Sequence, residues 1–503
     1  MLTLGHEKTD WLSLGFVVIL AAIAVGVGVL EPGLLPWAVG GVALAAVMVF
    51  WAARWDITLW AWIWVLSYGL LDWPEWRIEL VGFFNLTIPR IIFLIAMLAF
   101  ALYFLLHRRR LHFDRGLYWM MLVLLLYTAF SATASGWTAQ TVGVESAPYY
   151  RFLGSMLLPF IMFYLLCNSC SNERQIRRAL ILITVYGWYA LYIGYLQYAA
   201  INGAEWARSF IWPSYINDPE FGIHYDRARG VFAGATPQAV LMVSLFFIDL
   251  YLIRKLRGLY RAALMVQAIL VPPAVFFTLL RSAYLSFLIC GVLWVMLANR
   301  QARFRVLKVA GLLLLVTIFV YVSWERLSST ERAAGGVAQR GPVRSRLILV
   351  QQTWNIMSET PLLGVGFGHF VDKQQSMPRD PGGLAGEPTG VLVQHNLFLN
   401  MLAETGLVGF VLIVLVFLLL WRQSYQLYKK IPPDAHGDVS RDFVVLFWLI
   451  LVNYLTDAMF RDPLWDVFSN AMLWSLAGLV VCFNRLLEPQ PLDLPIAAGG
   501  WEN

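Results

Sequence analysis

Residues Val391 to Trp421 read VLVQHNLFLNMLAETGLVGFVLIVLVFLLLW, a polar cluster of His395, Asn396, Asn400 and Glu404 that runs into an apolar stretch long enough to enter a bilayer. Desolvating an ionisable group at the mouth of a transmembrane helix costs several kcal/mol unless it is paired, so this boundary is a functional-site candidate as well as an interfacial cap. On one continuous helix, Asn396, Asn400 and Glu404 share a face at i+4 spacing and form a hydrogen-bonded stripe that anchors it. His395 lies about 900° of rotation before Glu404, on the opposite face. That argues against a His–Glu dyad and leaves the imidazole free to act.

The apolar character extends outward from this stretch. Of 503 residues, 59% are hydrophobic, 14% are charged and 22 are Trp, with a mean hydropathy of +0.66. A soluble core of this size does not need so apolar a surface, so the chain is predicted to be an all-α polytopic membrane protein. Windows of about 20 residues place fourteen spans near 11–30, 34–53, 57–71, 88–106, 117–133, 152–168, 179–200, 235–253, 262–280, 282–298, 309–324, 393–421, 442–460 and 467–484. With the short run at 57–71 the weakest, the expectation is about 12–14 transmembrane helices. The first run lacks a basic n-region and a small-residue cleavage site and reads as a retained helix.

Alternating these spans puts Arg108–Arg110, Arg174, Arg177, Arg178, Arg254, Lys255, Arg300, Lys308, Lys429, Lys430 and Arg441 on one side. By the positive-inside rule that side is cytoplasmic, with both termini inside. The net charge of +6 is then a topology signal, and a nucleic-acid partner has little support. Segments 72–87, 134–151, 201–234 and 325–392 face outward. The last carries Arg326, Arg332, Arg340, Arg344, Arg346, Lys373 and Arg379, an enrichment explained by an anionic partner outside.

Within that loop, Arg346 to Glu359 reads as an amphipathic helix with Leu347, Val350, Trp354 and Met357 on one face, stopped by Pro361. It lays Trp354 at the membrane interface and holds Arg346 near the headgroup plane. Gly364-Val-Gly366-Phe-Gly368 has no βαβ context and reads as a tight turn returning the chain to His395; whether its amides also cradle an anion stays open. Arg227 and Arg229, in Asp226-Arg-Ala-Arg-Gly-Val-Phe232, and Arg281, between two apolar runs, also face outward. Arginine stays charged and grips phosphate oxygens bidentately, which suits a diphosphate. For Arg281 a snorkelling or hairpin-capping role is the alternative.

The sequence His395-Asn-Leu-Phe-Leu-Asn-Met-Leu-Ala-Glu404-Thr-Gly406-Leu-Val-Gly409, preceded by Pro361-Leu-Leu-Gly-Val-Gly-Phe-Gly-His-Phe370, resembles the signature of the O-antigen ligase and polymerase superfamily. Arg346 matches the family's Arg some fifteen residues before that Pro, Arg227 opens a block similar to R-x-x-G-x-F, and Arg281-Ser-Ala resembles the S-R-G hairpin. The resemblance covers roughly 225–421. Leu280 replaces the usual Ser, Ala235-Thr-Pro the commoner N-P-N, and two extra spans are present.

The resemblance implies a GT-C-like membrane glycosyltransferase with one long, partly helical periplasmic loop, working without metal or other cofactor at the outer face of a bacterial inner membrane. The implied donor is a glycan on undecaprenyl diphosphate, and the implied acceptor is a hydroxyl of lipid A core, another glycan or a protein. Arg227 and Arg346 would hold the diphosphate and stabilise its growing charge, and His395 would take the acceptor proton. Arg229, Arg281, Arg344, Asn396 and Trp354 complete the substrate-binding set, with Asn400, Glu404, Gly406 and Gly409 in support. The corresponding divisions are 1–200, N-terminal spans; 201–484, the catalytic membrane domain with loop 325–392; and 485–503, a cytoplasmic tail.

Four other features carry less. Asp72-Trp-Pro-Glu75 and Asp218-Pro-Glu220 offer carboxylates for a metal but no companion His. His224 and His369 read as structural, and Asp457, Arg461, Asp462 and Asp466 as an interfacial ion-pair network. Cys167-Asn-Ser-Cys170 has no second pair to complete a zinc site. A polymerase using the same donor is the nearest alternative function. A lipid-glycan flippase, the alternative of another class, calls for charges buried mid-span, whereas here they gather at the outer ends.

Overall fold

The computed structural model describes residues 56–72, 78–81, 84–106, 111–112, 116–141, 144, 147–217, 226–297, 341–377, 393–435 and 437–487. Among them run α1 (Thr58–Leu70), α2 (Ile88–Leu106), α3 (Leu117–Ser135), α4 (Ala147–Ser169), α5 (Arg174–Ile201), α6 (Ala235–Ile253), α7 (Gly258–Phe277) and α8 (Arg281–Leu297). They are followed by α9 (Gly341–Glu359), α10 (Phe370–Ser376), α11 (Leu397–Lys430), α12 (Arg441–Phe460) and α13 (Val467–Leu486). Nine of these are long and apolar enough to cross a membrane, and α1 and α8 are shorter apolar helices. Helices dominate because a chain in lipid must satisfy its backbone hydrogen bonds within each segment. The protein is an all-α polytopic membrane protein.

The expected spans at 11–30, 34–53 and 309–324 lie outside the described residues, as do His224, Asp218, Glu220, Arg326, Arg332, Arg340 and Arg379. One element was not anticipated: β1 (Ile78–Val81) and β2 (Phe84–Leu86) pair antiparallel in the segment before α2.

Helix α13 is buried from Val467 to Asn484 and forms the axis of the bundle. Trp474 on it meets Phe160 and Phe163 of α4 and Phe417 of α11 at ring-centroid distances of 4.7, 6.0 and 5.9 Å. The two ends of the bundle differ in their polar contacts. At one, Arg177 pairs with Asp438 at 2.7 Å, Arg178 with Asp56 at 2.8 Å, and Lys255 donates to the Gly437 carbonyl at 2.7 Å. The basic clusters at 174–178, 254–255 and 441 therefore share an end, and the starts of α4 and α11 with the α12–α13 turn share the other.

At that second end a smaller core joins Ala139, Val144, Ala147, Leu349, Ile356, Phe370, Val371 and Ala403. It seats the inner face of α9, while Leu347, Val350 and Trp354 on the outer face are 55%, 46% and 65% exposed. An apolar stripe turned outward at i, i+3 and i+7 fits a helix lying on a lipid interface.

Candidate active site

The helix that carries the polar stripe is not continuous. Gly406 adopts φ +63° and ψ −166°, a conformation essentially restricted to glycine, and splits α11 into a short N-terminal piece and a long apolar one. The break exposes backbone groups that the Pro361–Gly368 loop takes up. Leu407 N–H donates to the Pro361 carbonyl at 2.9 Å, Val365 N–H to Ala403 at 3.1 Å, and Gly366 N–H to Glu404 at 2.8 Å. The glycine loop thus docks on the helix break, where the Val365 and Gly366 amides are spent, rather than simply turning the chain toward His395.

His395 precedes the first helical residue, Leu397, so the rotation argument does not govern its direction. Its position is set by neighbours. Gln394, 3% exposed, accepts the His395 N–H at 2.8 Å and donates to the Thr353 hydroxyl at 2.7 Å and the Leu349 carbonyl at 3.2 Å. His395 is thereby tied to α9, the helix of Arg346. Asn396 caps α11 by accepting from Leu399 N–H at 3.0 Å and donates to the Met459 carbonyl at 3.0 Å. Asn400 donates to Asp462 at 2.7 Å.

Arg346 comes to the same place from the other side. Its guanidinium lies 5.3 Å from the Phe460 ring centroid, the residue after the Met459 that Asn396 grips. The end of α12 and the turn after it, 459–462, therefore receive Arg346, Asn396 and Asn400. Arg344 is exposed on the same first turns of α9. Beside them, Leu347, Val350, Gln351, Thr353, Trp354, Leu399 and Leu402 line an apolar groove of about 380 Å³.

Glu404 forms a two-pronged pair with Arg151 at 2.7 and 2.8 Å, and the second nitrogen of that guanidinium lies 2.8 Å from Asp462. Arg151 is 1% exposed. Asp462 is ion-paired, as expected of the interfacial network at 457–466, but with Arg151 and in a buried cluster; Asp466 caps α13 through Ser469 N–H at 3.1 Å. Nothing local in the sequence pointed to Arg151, which stands at the start of an ordinary span, or to Gln394, whose neighbour drew the attention.

The earlier arginines sit at the same end in a separate loop. Arg229 is 3% exposed, and its guanidinium donates to the carbonyls of Ile216 at 2.8 Å and Ala233 at 3.4 Å. These bonds clamp one loop to another. Arg227, also 3% exposed, faces Asp226 at 3.5 Å, and its loop is fixed by Ala228 N–H on the Phe277 carbonyl at 3.0 Å. Phe232, from the same loop, packs on Phe468 at 4.7 Å, just beyond the Asp462 turn. Arg281 opens α8 at this end, half-buried. Gly409 lies on α11 within contact of Tyr127, whose hydroxyl donates to the Thr405 carbonyl at 2.7 Å.

His369 pins the docked loop to α3. Its ring nitrogens lie 2.9 Å from Asp372 and 2.9 Å from the Gly136 carbonyl, while Asp372 also accepts from Gln140 N–H, Thr141 N–H and the Thr141 hydroxyl. Burial works against ionisation of Asp372, but these donors outweigh it and hold the carboxyl below its ordinary value.

A polytopic helical bundle with a polar site at one end defines a membrane protein built to work at a bilayer surface. Residues 263–414, under a third of the chain, match the family described as O-antigen ligase. The match takes in Arg281, Arg344, Arg346, Trp354, His395, Asn396, Asn400, Glu404, Gly406 and Gly409, and stops short of Arg227 and Arg229. No curated protein matches the chain.

Proposed function

We propose that the protein transfers a glycan from an undecaprenyl-diphosphate carrier to an acceptor hydroxyl at the periplasmic face of the bacterial inner membrane. What supports this reading is that Arg346 lies over Phe460 while Asn396, the neighbour of His395, grips Met459, so that the chain on either side of the site meets at one turn. Arg346, with Arg227 and Arg344, holds the diphosphate and stabilises the charge that grows as the sugar leaves. Arg281, at the head of α8, is placed to steer the same anion. His395 accepts the acceptor proton as its oxygen attacks the anomeric carbon. The lipid chain lies along the groove of Leu347, Val350, Trp354, Leu399 and Leu402, entering from the outer leaflet. Arg229 is assigned to the loop clamp, and Asn396 to the helix cap.

A flippase needs a charged path through the spans. Among the described residues, Asp249 is a carboxyl buried within a span without a hydrogen-bond partner, close to the end opposite the site, so it does not extend the arginine cluster inward. The test is a transfer assay with purified protein and a synthetic lipid-diphosphate glycan, run with EDTA beside a flipping assay in vesicles. Product formation in EDTA supports a metal-independent transferase; flipping without product, or turnover abolished by EDTA and restored by a divalent ion, contradicts it.

A further inference from the structure

We infer that Arg151 is a positioning residue for the transfer reaction, setting the relation between Arg346 and His395 without touching the substrate. This rests on the functional reading above. Arg151 stands where three pieces of chain meet: the docked glycine loop, the first part of α11, and the α12–α13 turn. Its guanidinium lies 4.7 Å from the Phe367 ring centroid and 5.7 Å from that of Trp465. Its edges pair with Glu404 at 2.7 Å and Asp462 at 2.8 Å. A planar fork can satisfy two carboxylates and two aromatic faces together; an ammonium cannot.

The two carboxylates are what transmit position. Asp462 accepts from Asn400, one turn after the cap residue Asn396, which adjoins His395. The same turn offers its Met459 carbonyl to Asn396 and its Phe460 ring to Arg346. Fixing Asp462 relative to Glu404 therefore fixes the turn relative to α11, and both proposed reacting groups hang from that junction. A bound ion is not needed for this role, because Arg151 is ion-paired with both carboxylates in a site closed to water.

A purely structural role would also make Arg151 sensitive, since removing one member of a buried ionic cluster strands the others. The experiment separates the two. Arg151→Lys is compared with the triple variant Arg151→Met, Glu404→Gln, Asp462→Asn, which removes all three charges together, in detergent-purified full-length protein. Thermal stability, kcat, donor KM and hydrogen exchange of the 393–400 and 344–354 peptides are measured for each. The expected result is a triple variant with wild-type stability whose kcat is about 10-fold or more below wild type at a donor KM within about 2-fold, with faster exchange confined to those peptides. Activity returning in step with stability, or unchanged exchange in a stable variant, overturns the inference. His395→Ala is carried alongside: if it turns over like wild type, the functional reading fails, whereas the exchange measurement still decides the placement of the 393–400 segment by Arg151.

Discussion

Gly364 and Gly406 meet backbone to backbone, and neither can carry a side chain. A Cβ on Gly364 would fall 2.4 Å from the Glu404 carbonyl carbon, and one on Gly406 near the Leu362 carbonyl, where both residues also have positive φ. Their contact is what lets a loop hydrogen bond to the middle of a broken helix.

Gly406→Ala is therefore expected to lower stability by about 2 kcal/mol or more, since the strain of a glycine-only conformation alone costs roughly 1–3 kcal/mol. Gly409→Ala is expected to cost less, because Gly409 keeps helical geometry and adds no backbone strain, although its Cβ would crowd the Thr405 side chain. Thermal unfolding in detergent ranks the two; a reversed order contradicts the docking role given to Gly406.

Arg346→Lys keeps the charge but loses the fork. A drop of roughly 10²–10³ in turnover is expected, as for removal of one stabilising donor, with membrane insertion unchanged. Measurement of product formation beside protein abundance in the membrane fraction checks it. Near-wild-type turnover would mean that Arg346 is not a diphosphate ligand.

The groove gives a separate prediction. Trp354→Glu or Leu347→Glu places a charge where a lipid chain is proposed to lie, and donor KM is expected to rise roughly tenfold, about 1.4 kcal/mol, with kcat little changed. A truncated, water-soluble donor should be insensitive to either substitution. Equal effects on both donors would remove the lipid chain from the groove.

Asp372 supplies a pH dependence. Its carboxyl titrates below its unfolded value, so its contribution to stability is complete above that unfolded value and is lost only as pH falls through the lower folded one. The latch between the glycine loop and Gln140–Thr141 should hold from neutral pH into mild acid and open below about pH 4. Limited proteolysis within 361–377 across that range follows it. Asp372→Asn should make the loop cleavable at neutral pH, and cleavage of the native protein that already rises near pH 6 would contradict the latch.

How much of this was legible beforehand follows from what each feature depends on. The nine long apolar helices among the described residues were readable because about twenty apolar residues in a row report burial in lipid directly. The stripe of Asn400 and Glu404 was readable because helical spacing is local. Its partner was not: Arg151 lies far away in the chain, and pairing across that distance leaves no local pattern. The break at Gly406 was hidden because a lone glycine inside an apolar run is ordinary in membrane helices, and only the docked Pro361–Gly368 loop shows why it is there. Asp462 was misplaced for the same reason, since a charged turn between spans looks solvated until the residue buried against it is known. Arg229 was read as a phosphate ligand from its type and position; its carbonyl partners on Ile216 and Ala233 belong to loop geometry that composition does not encode.

The central claim is that His395 and Arg346 act on one lipid-linked donor, and its most direct test is a single-turnover assay in vesicles with donor binding measured in the same samples. His395→Ala should bind donor like wild type and transfer it at least about 10²-fold more slowly, while Arg346→Ala should lose both binding and transfer. Wild-type transfer by His395→Ala, or undiminished donor binding by Arg346→Ala, would contradict the account.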